Sequence, residues 1–114
     1  KNFSLLSKML DLSQAKQRVV SQNIANVNTP NYRRRELKFD RALKEAMSTG
    51  TAKGYRAVEG WVDSPNTTPV RNNGNNVDIE KEVMNMKENA MLYQIYSELY
   101  NRKSASVKKA IRGS

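Results

Sequence analysis

Apolar residues recur along the first part of the chain at steps of three and four, through Leu5, Leu6, Met9, Leu12, Val19, Val20, Ile24 and Val27. That period marks one side of an α-helix and predicts a helix over residues 2–27. Ser4, Ser7, Asp11, Gln14, Arg18 and Ser21 fill the other side. Lys16 and Asn23 interrupt the apolar side. A polar residue in such a seam can fix register and partner number at a cost in stability, but a lysine can also lay its stem along the surface and keep its ammonium in water, the preferred reading for Lys16.

A second and longer pattern occupies residues 78–112. Asp78 is a good N-cap, and Glu80 and Glu82 put negative charge in the first turn, where the helix dipole favours it. From there a seven-residue repeat runs through Ile79, Val83, Met86, Ala90, Tyr93, Ser97, Tyr100, Ser104, Val107 and Ile111, and eight of these ten are apolar or aromatic. Such a repeat is a coiled-coil seam. Arg102, Lys103, Lys108, Lys109 and Arg112 complement the negative end of the dipole, and Gly113 stands where a helix stop belongs. At ~1.5 Å per residue the helix approaches 50 Å. Met84, Met91, Leu92, Ile95, Tyr96 and Leu99 fall off the heptad line, so the middle of this helix is apolar around most of its circumference. An N-terminal helix with one apolar side buries a single seam. The surplus then stays exposed or is covered by another chain, which predicts self-assembly through those six residues.

Between the two patterns the signal weakens. Phe39, Leu43 and Met47 have helical spacing and predict about two turns of helix over residues 39–47. Residues 48–77, punctuated by Gly50, Gly54, Gly60, Pro65, Pro69 and Gly74, are expected to be loose, with a short strand around Trp61 in residues 55–62 and a weak hairpin turn at Asn73-Gly74. The expected fold is therefore mainly α, a single elongated domain over 1–114. Its terminal helices form an antiparallel coiled-coil-like hairpin, joined through residues 28–77 by a turn, a short helix and an irregular connector with at most a small β-hairpin.

The junction after the first helix carries the most specific motif. Asn23, Asn26 and Asn28 compete with the helical backbone for hydrogen bonds, so the helix is expected to end among them. Pro30 fixes its own φ and pushes Thr29 out of the α region, while Asn31 can take the positive φ that a type II turn needs at its third position. The string Ala25-Asn26-Val27-Asn28-Thr29-Pro30-Asn31-Tyr32 resembles the N-terminal motif of the bacterial flagellar axial proteins, the family of rod, hook and hook-associated proteins. That family usually has Gly between Pro and Tyr; Asn31 is the next most tolerant residue there, at somewhat higher local strain. The stretch from Gly74 to Glu82, followed by Asn89-Ala90-Met91-Leu92-Tyr93-Gln94, is similar to the start of the C-terminal helix in the most membrane-proximal members of the basal-body rod protein family. The resemblance covers both helices and skips the middle. It implies a structural subunit of the proximal rod in the periplasm, part of the drive shaft for motility, exported through the flagellar type III apparatus. The implied partners are further copies, other rod subunits, the membrane-ring adaptor and the export gate.

Composition narrows the chemistry. The chain has no cysteine and no histidine, which removes disulfides, thiolate nucleophiles, the usual zinc ligands and the commonest general base, so no enzyme, cofactor or small-molecule substrate is expected. No stretch approaches the ~18 apolar residues that cross a bilayer, and no apolar core of a cleavable signal is expected. The formal charge of +9, with a pI near 10.0 and a mean hydropathy of −0.79, suits a polyanionic partner or charge-assisted assembly. An alternative is a basic helical dimer that binds nucleic acid or an acidic partner, with Tyr32-Arg33-Arg34-Arg35, Lys38 and Arg41 on phosphates. Glu36 and Asp40 interleave and no groove-reading motif is present, so a solvated post-turn segment is favoured. Asp78, Glu80 and Glu82 beside Asn73, Asn75 and Asn76 match no calcium loop, and capping is the favoured role. Tyr93, Tyr96 and Tyr100 have the spacing of packing residues, and so do Met84, Met86 and Met91.

Overall fold

Helices α1 (Asn2–Ala25) and α4 (Ile79–Ile111) are the two long elements of the computed structural model, which describes residues 2–113. They run antiparallel. The Phe3 ring stacks on Tyr100 with centroids 4.5 Å apart, Gln14 Nε2 donates to the Tyr93 hydroxyl at 3.2 Å, and Asn23 reaches Glu82 at 3.1 Å. The chain extends 65 × 25 × 14 Å, its long dimension set by α4. Helix α4 starts where its cap dictates: the Asp78 carboxylate accepts from the amides of Glu80 and Lys81 at 3.1 and 3.3 Å. Helix α1 stops two residues short of the expected end. Asn26 turns its side-chain amide onto the Gln22 carbonyl at 2.8 Å, and its backbone amide is shared between the Gln22 and Asn23 carbonyls.

The face that α4 turns to α1 differs from the expected heptad. Ile79, Ala90, Val107 and Ile111 are exposed, while Val83, Met86, Tyr93 and Tyr100 are half-buried. The buried residues of α4 are Glu82 and Asn89, one position ahead of Val83 and Ala90. Asn89 Nδ2 donates to the Ser13 carbonyl and to Gln17 Oε1, both at 2.8 Å. The physical reason lies in α1, which is used on two sides. The side bearing Gln14, Gln17, Asn23 and the Ser13 carbonyl meets α4, so the inward line of α4 is the one that offers polar partners.

Part of the apolar side of α1 packs elsewhere. Leu12 forms the core with Ala46, Tyr55 and Val58, and Leu5, Phe39, Ala42 and Leu43 are half-buried around them. Burial of each large apolar side chain contributes about 1.5–3 kcal/mol. Ala46 comes from α2 (Asp40–Thr49), which stops at Gly50 in the left-handed region (φ 64°). Tyr55 comes from α3 (Ala52–Arg56), inside the stretch expected to be loose. The Thr51 hydroxyl caps this short helix by accepting from the Gly54 amide at 3.0 Å, and burial of the Tyr55 ring holds it in place.

The expected strand around Trp61 is β2 (Trp61–Asp63), shorter than the sequence suggests because residues 55 and 56 belong to α3. Its partner is β1 (Glu36–Lys38), antiparallel, with Leu37 opposite Val62 and Lys38 opposite Trp61. Gly60 allows the approach, since a Cβ there would lie 2.9 Å from Leu37 Cδ1 and 3.2 Å from the Lys38 carbonyl. Asn73-Gly74 closes a tight turn without flanking strands, the Gly74 amide donating to the Arg71 carbonyl at 2.9 Å.

Candidate functional site

Two features stand out: a buried polar knot where the family-like motif meets the entry to α4, and an exposed apolar face on α4. The knot begins with the turn itself. The Tyr32 amide donates to the Thr29 carbonyl at 3.3 Å across Pro30 and Asn31, and Asn31 has φ 65°, the arrangement of a type II turn. The Thr29 hydroxyl donates to Asn26 Oδ1 at 3.0 Å, while Asn28 and Pro30 face solvent. The turn docks on residues 71–75. The Asn31 amide donates to the Asn73 carbonyl at 2.8 Å, and the fully buried Asn75 donates through Nδ2 to the carbonyls of Asn26 and Thr29, both at 2.8 Å. Gly74 (φ 82°) lies so close that a Cβ would fall 2.2 Å from Asn31 Oδ1. Arg71 links the two sides, donating to the carbonyls of Val27 and Val77.

Beneath the turn, Asn23, Arg34 and Glu82 form a charged core. Glu82 is wholly inaccessible; Oε2 accepts from Arg34 Nε at 2.8 Å and Oε1 from Asn23 Nδ2 at 3.1 Å. Asn23, also wholly buried, donates to the Arg35 carbonyl and accepts from the Arg35 amide and the Tyr32 hydroxyl. Arg34 reaches Glu36 as well, Nη1 to Oε2 at 2.8 Å, and its amide donates to Asn76 Oδ1 at 2.6 Å. Asn76 accepts through its carbonyl from the Thr68 hydroxyl, while its buried side-chain Nδ2 has no hydrogen-bond partner among the described residues. Burial lowers the Arg34 pKa, but hydrogen bonds and charges from Glu82 and Glu36 outweigh it and hold the group above its usual value. Burial raises the Glu36 carboxyl, and Arg34 and Lys38 more than reverse this, leaving it below 4.5. Burial pushes the Tyr32 phenol up against the pull of Arg35, with Glu82 adding to the rise.

The motif residues singled out from the sequence are thus brought together with partners that the sequence did not suggest. Asn23 is no register device between chains within this protomer; it is fully satisfied inside it. Glu82 stands in the first turn of α4 as expected and is in addition the buried counter-ion of Arg34. The basic cluster is divided, Arg34 inward and Arg33 and Arg35 outward. Among the described residues no group of three or more acidic side chains is placed to hold a metal ion. The missed partners Thr68, Arg71, Asn75 and Asn76 had one signal: an asparagine run around Gly74 whose short amides can bond carbonyls of another segment as readily as their own.

On α4, Met84 and Met91 are 66% and 62% exposed, and Leu92, Ile95 and Leu99 are also exposed; Tyr96 is half-buried. Helical spacing sets this face on a different side from the line of Glu82 and Asn89. It is an apolar strip that the rest of the described chain covers only in part.

Residues 10–33, spanning the later part of α1 and the turn, match the family model described as "Flagella basal body rod protein". Along nearly the whole chain the sequence is 33% identical to the flagellar basal body rod protein FlgB of Bacillus subtilis (strain 168), covering 95% of this chain and 91% of that relative. It is 30% identical to the FlgB of Aeromonas hydrophila over 99% of this chain and 94% of the relative, and 28% identical to that of Borrelia hermsii over 97% and 96%.

Proposed function

The chain belongs to the flagellar basal body rod protein FlgB family, a structural and not an enzymatic family, and from that premise we propose that it self-assembles through its terminal helices into the proximal part of the rod, the drive shaft for motility. The observation that carries the proposal is the exposed strip of Met84, Met91, Leu92, Ile95 and Leu99, on a helix whose inward line is already paired with α1. Apolar area of that extent is removed from water when copies pack together. The work is mechanical. Two antiparallel helices resist bending along their length, and the knot ties the start of α4 to the end of α1, so a twist applied to one helix is passed to the other through buried hydrogen bonds. In this reading the subunit is exported through the flagellar type III apparatus. It passes the export gate, joins the membrane ring through its adaptor in the periplasm, and receives later rod subunits above it. The alternative of a nucleic-acid-binding dimer loses Arg34, which is committed to Glu82 and Glu36, from its basic cluster and keeps Arg33 and Arg35 outward.

Sedimentation velocity over a range of concentrations tests the proposal. The protein is expected to grow in mass with concentration, and the paired change Ile95→Asp with Leu99→Asp is expected to hold it at the 13.0 kDa protomer over the same range. A wild-type protein that stays a protomer at every concentration overturns it.

A further inference from the structure

Between residues 88 and 101 the α4 strip carries carboxylates and no cation, with Lys87 and Arg102 standing at its two ends, and a neighbouring groove is rimmed by cations. Glu88 and Glu98 are exposed along the strip of Met91, Ile95 and Leu99, ten residues apart or about 15 Å along the helix. Neither makes an ion pair among the described residues. At the start of α4 a groove of about 370 Å³ opens between α1, β1 and α4, lined by Val19, Val20, Leu37 and Met84, the last at the point where the strip begins, and rimmed by Lys16, Arg35 and Lys81. These three cations likewise have no carboxylate within ion-pair distance among the described residues. Glu36 also borders the groove, but its carboxylate is taken up by Arg34 and Lys38.

We propose that strip and groove are the two halves of one contact between copies of this chain: the α4 strip of one copy lies on the groove of another, with Glu88 and Glu98 among Lys16, Arg35 and Lys81. This rests on the self-assembly reading above and names the surfaces that meet. Each half combines apolar side chains with charge, and the charges of the two halves are opposite, a combination that gives affinity and register together. A second copy is the occupant because it carries the matching element, an exposed apolar helix face with carboxylates and no cation from residue 88 to 101. The net charge of +9 opposes association only at long range, where salt screens it beyond ~10 Å at 0.1 M. The local pairs act at contact.

Charge exchange tests the pairing, with circular dichroism confirming the helices of every variant. The groove variant carries Lys16→Glu and Lys81→Glu; the strip variant carries Glu88→Lys and Glu98→Lys. Each alone is expected to raise the concentration needed for assembly about tenfold or more, because like charges then face each other. All four changes in one chain, or an equal mixture of the two variants, are expected to restore assembly to near the wild-type midpoint. If both variants assemble like the wild type, or if both fail and the four changes together do not restore assembly, the pairing is wrong while self-assembly stands. If the wild type itself does not assemble, the reading beneath it falls as well.

Discussion

At the scale of single residues, the Arg34–Glu82 pair dominates. A buried pair adds little net stability over an apolar substitute, yet removing one partner strands the other charge away from water. Glu82→Ala is therefore expected to cost about 3–5 kcal/mol, against a total stability of ~5–15 kcal/mol for a domain, and urea denaturation reads the loss directly. Gly74→Ala forces a Cβ to within 2.2 Å of Asn31 Oδ1 at a positive φ, and is expected to destabilise in the same assay. Asn31→Gly acts at the facing position, where the φ of 65° suits glycine, and is expected to change stability by less than about 1 kcal/mol. Glu36 supplies the pH dependence. Its folded pKa is below its unfolded value of 4.5, so its contribution is complete above 4.5 and disappears as pH falls below that value through the lowered one. With the side chain 34% exposed, the effect is under about 1 kcal/mol, and Glu36→Gln is expected to flatten the acid limb of a stability profile slightly.

At the scale of elements, the long periodic segments are legible in the sequence and the polar contacts between them are not. The start of α4 at Asp78 follows from local cap chemistry, as does the positive φ at Asn31, because both depend on neighbours within a few residues. The face of α4 that meets α1 depends on which side of α1 is already occupied by α2 and α3, and no periodicity within α4 contains that information. Short α3 is illegible for a similar reason: five residues holding Gly54 carry little helical signal, and a buried Tyr55 supplies what propensity does not. The knot escapes notice because Asn23 and Glu82 are 59 residues apart and each has a plausible local role. Asp78→Ala, removing the cap of α4, is expected to cost about 1 kcal/mol. Pro30→Gly frees the unfolded chain at the turn and is expected to cost about 0.4–1 kcal/mol. Circular dichroism of that variant is expected to show the helices unchanged while motility in soft agar falls; swimming at the wild-type rate would show that the stiffness of this turn is dispensable.

At the scale of the whole molecule, a small core on one side of α1 and a largely exposed strip along α4 lead the proposed self-assembly to a consequence for stability, which the protomer would share with its neighbours. Long helices gain most of their stability from packing, so helix content is expected to rise with protein concentration and to persist as salt is increased. Ellipticity at 222 nm, followed across both, measures this; a value independent of concentration would assign the helices to the protomer alone. One further consequence follows from the small ribbon of β1 and β2. The sole tryptophan of the chain, Trp61, stands half in water there, opposite Lys38. Its ultraviolet emission is thus a built-in lantern that needs no dye: a blue shift on polymerisation would mean that a neighbour lies across the ribbon, and an unshifted spectrum that this flank stays wet.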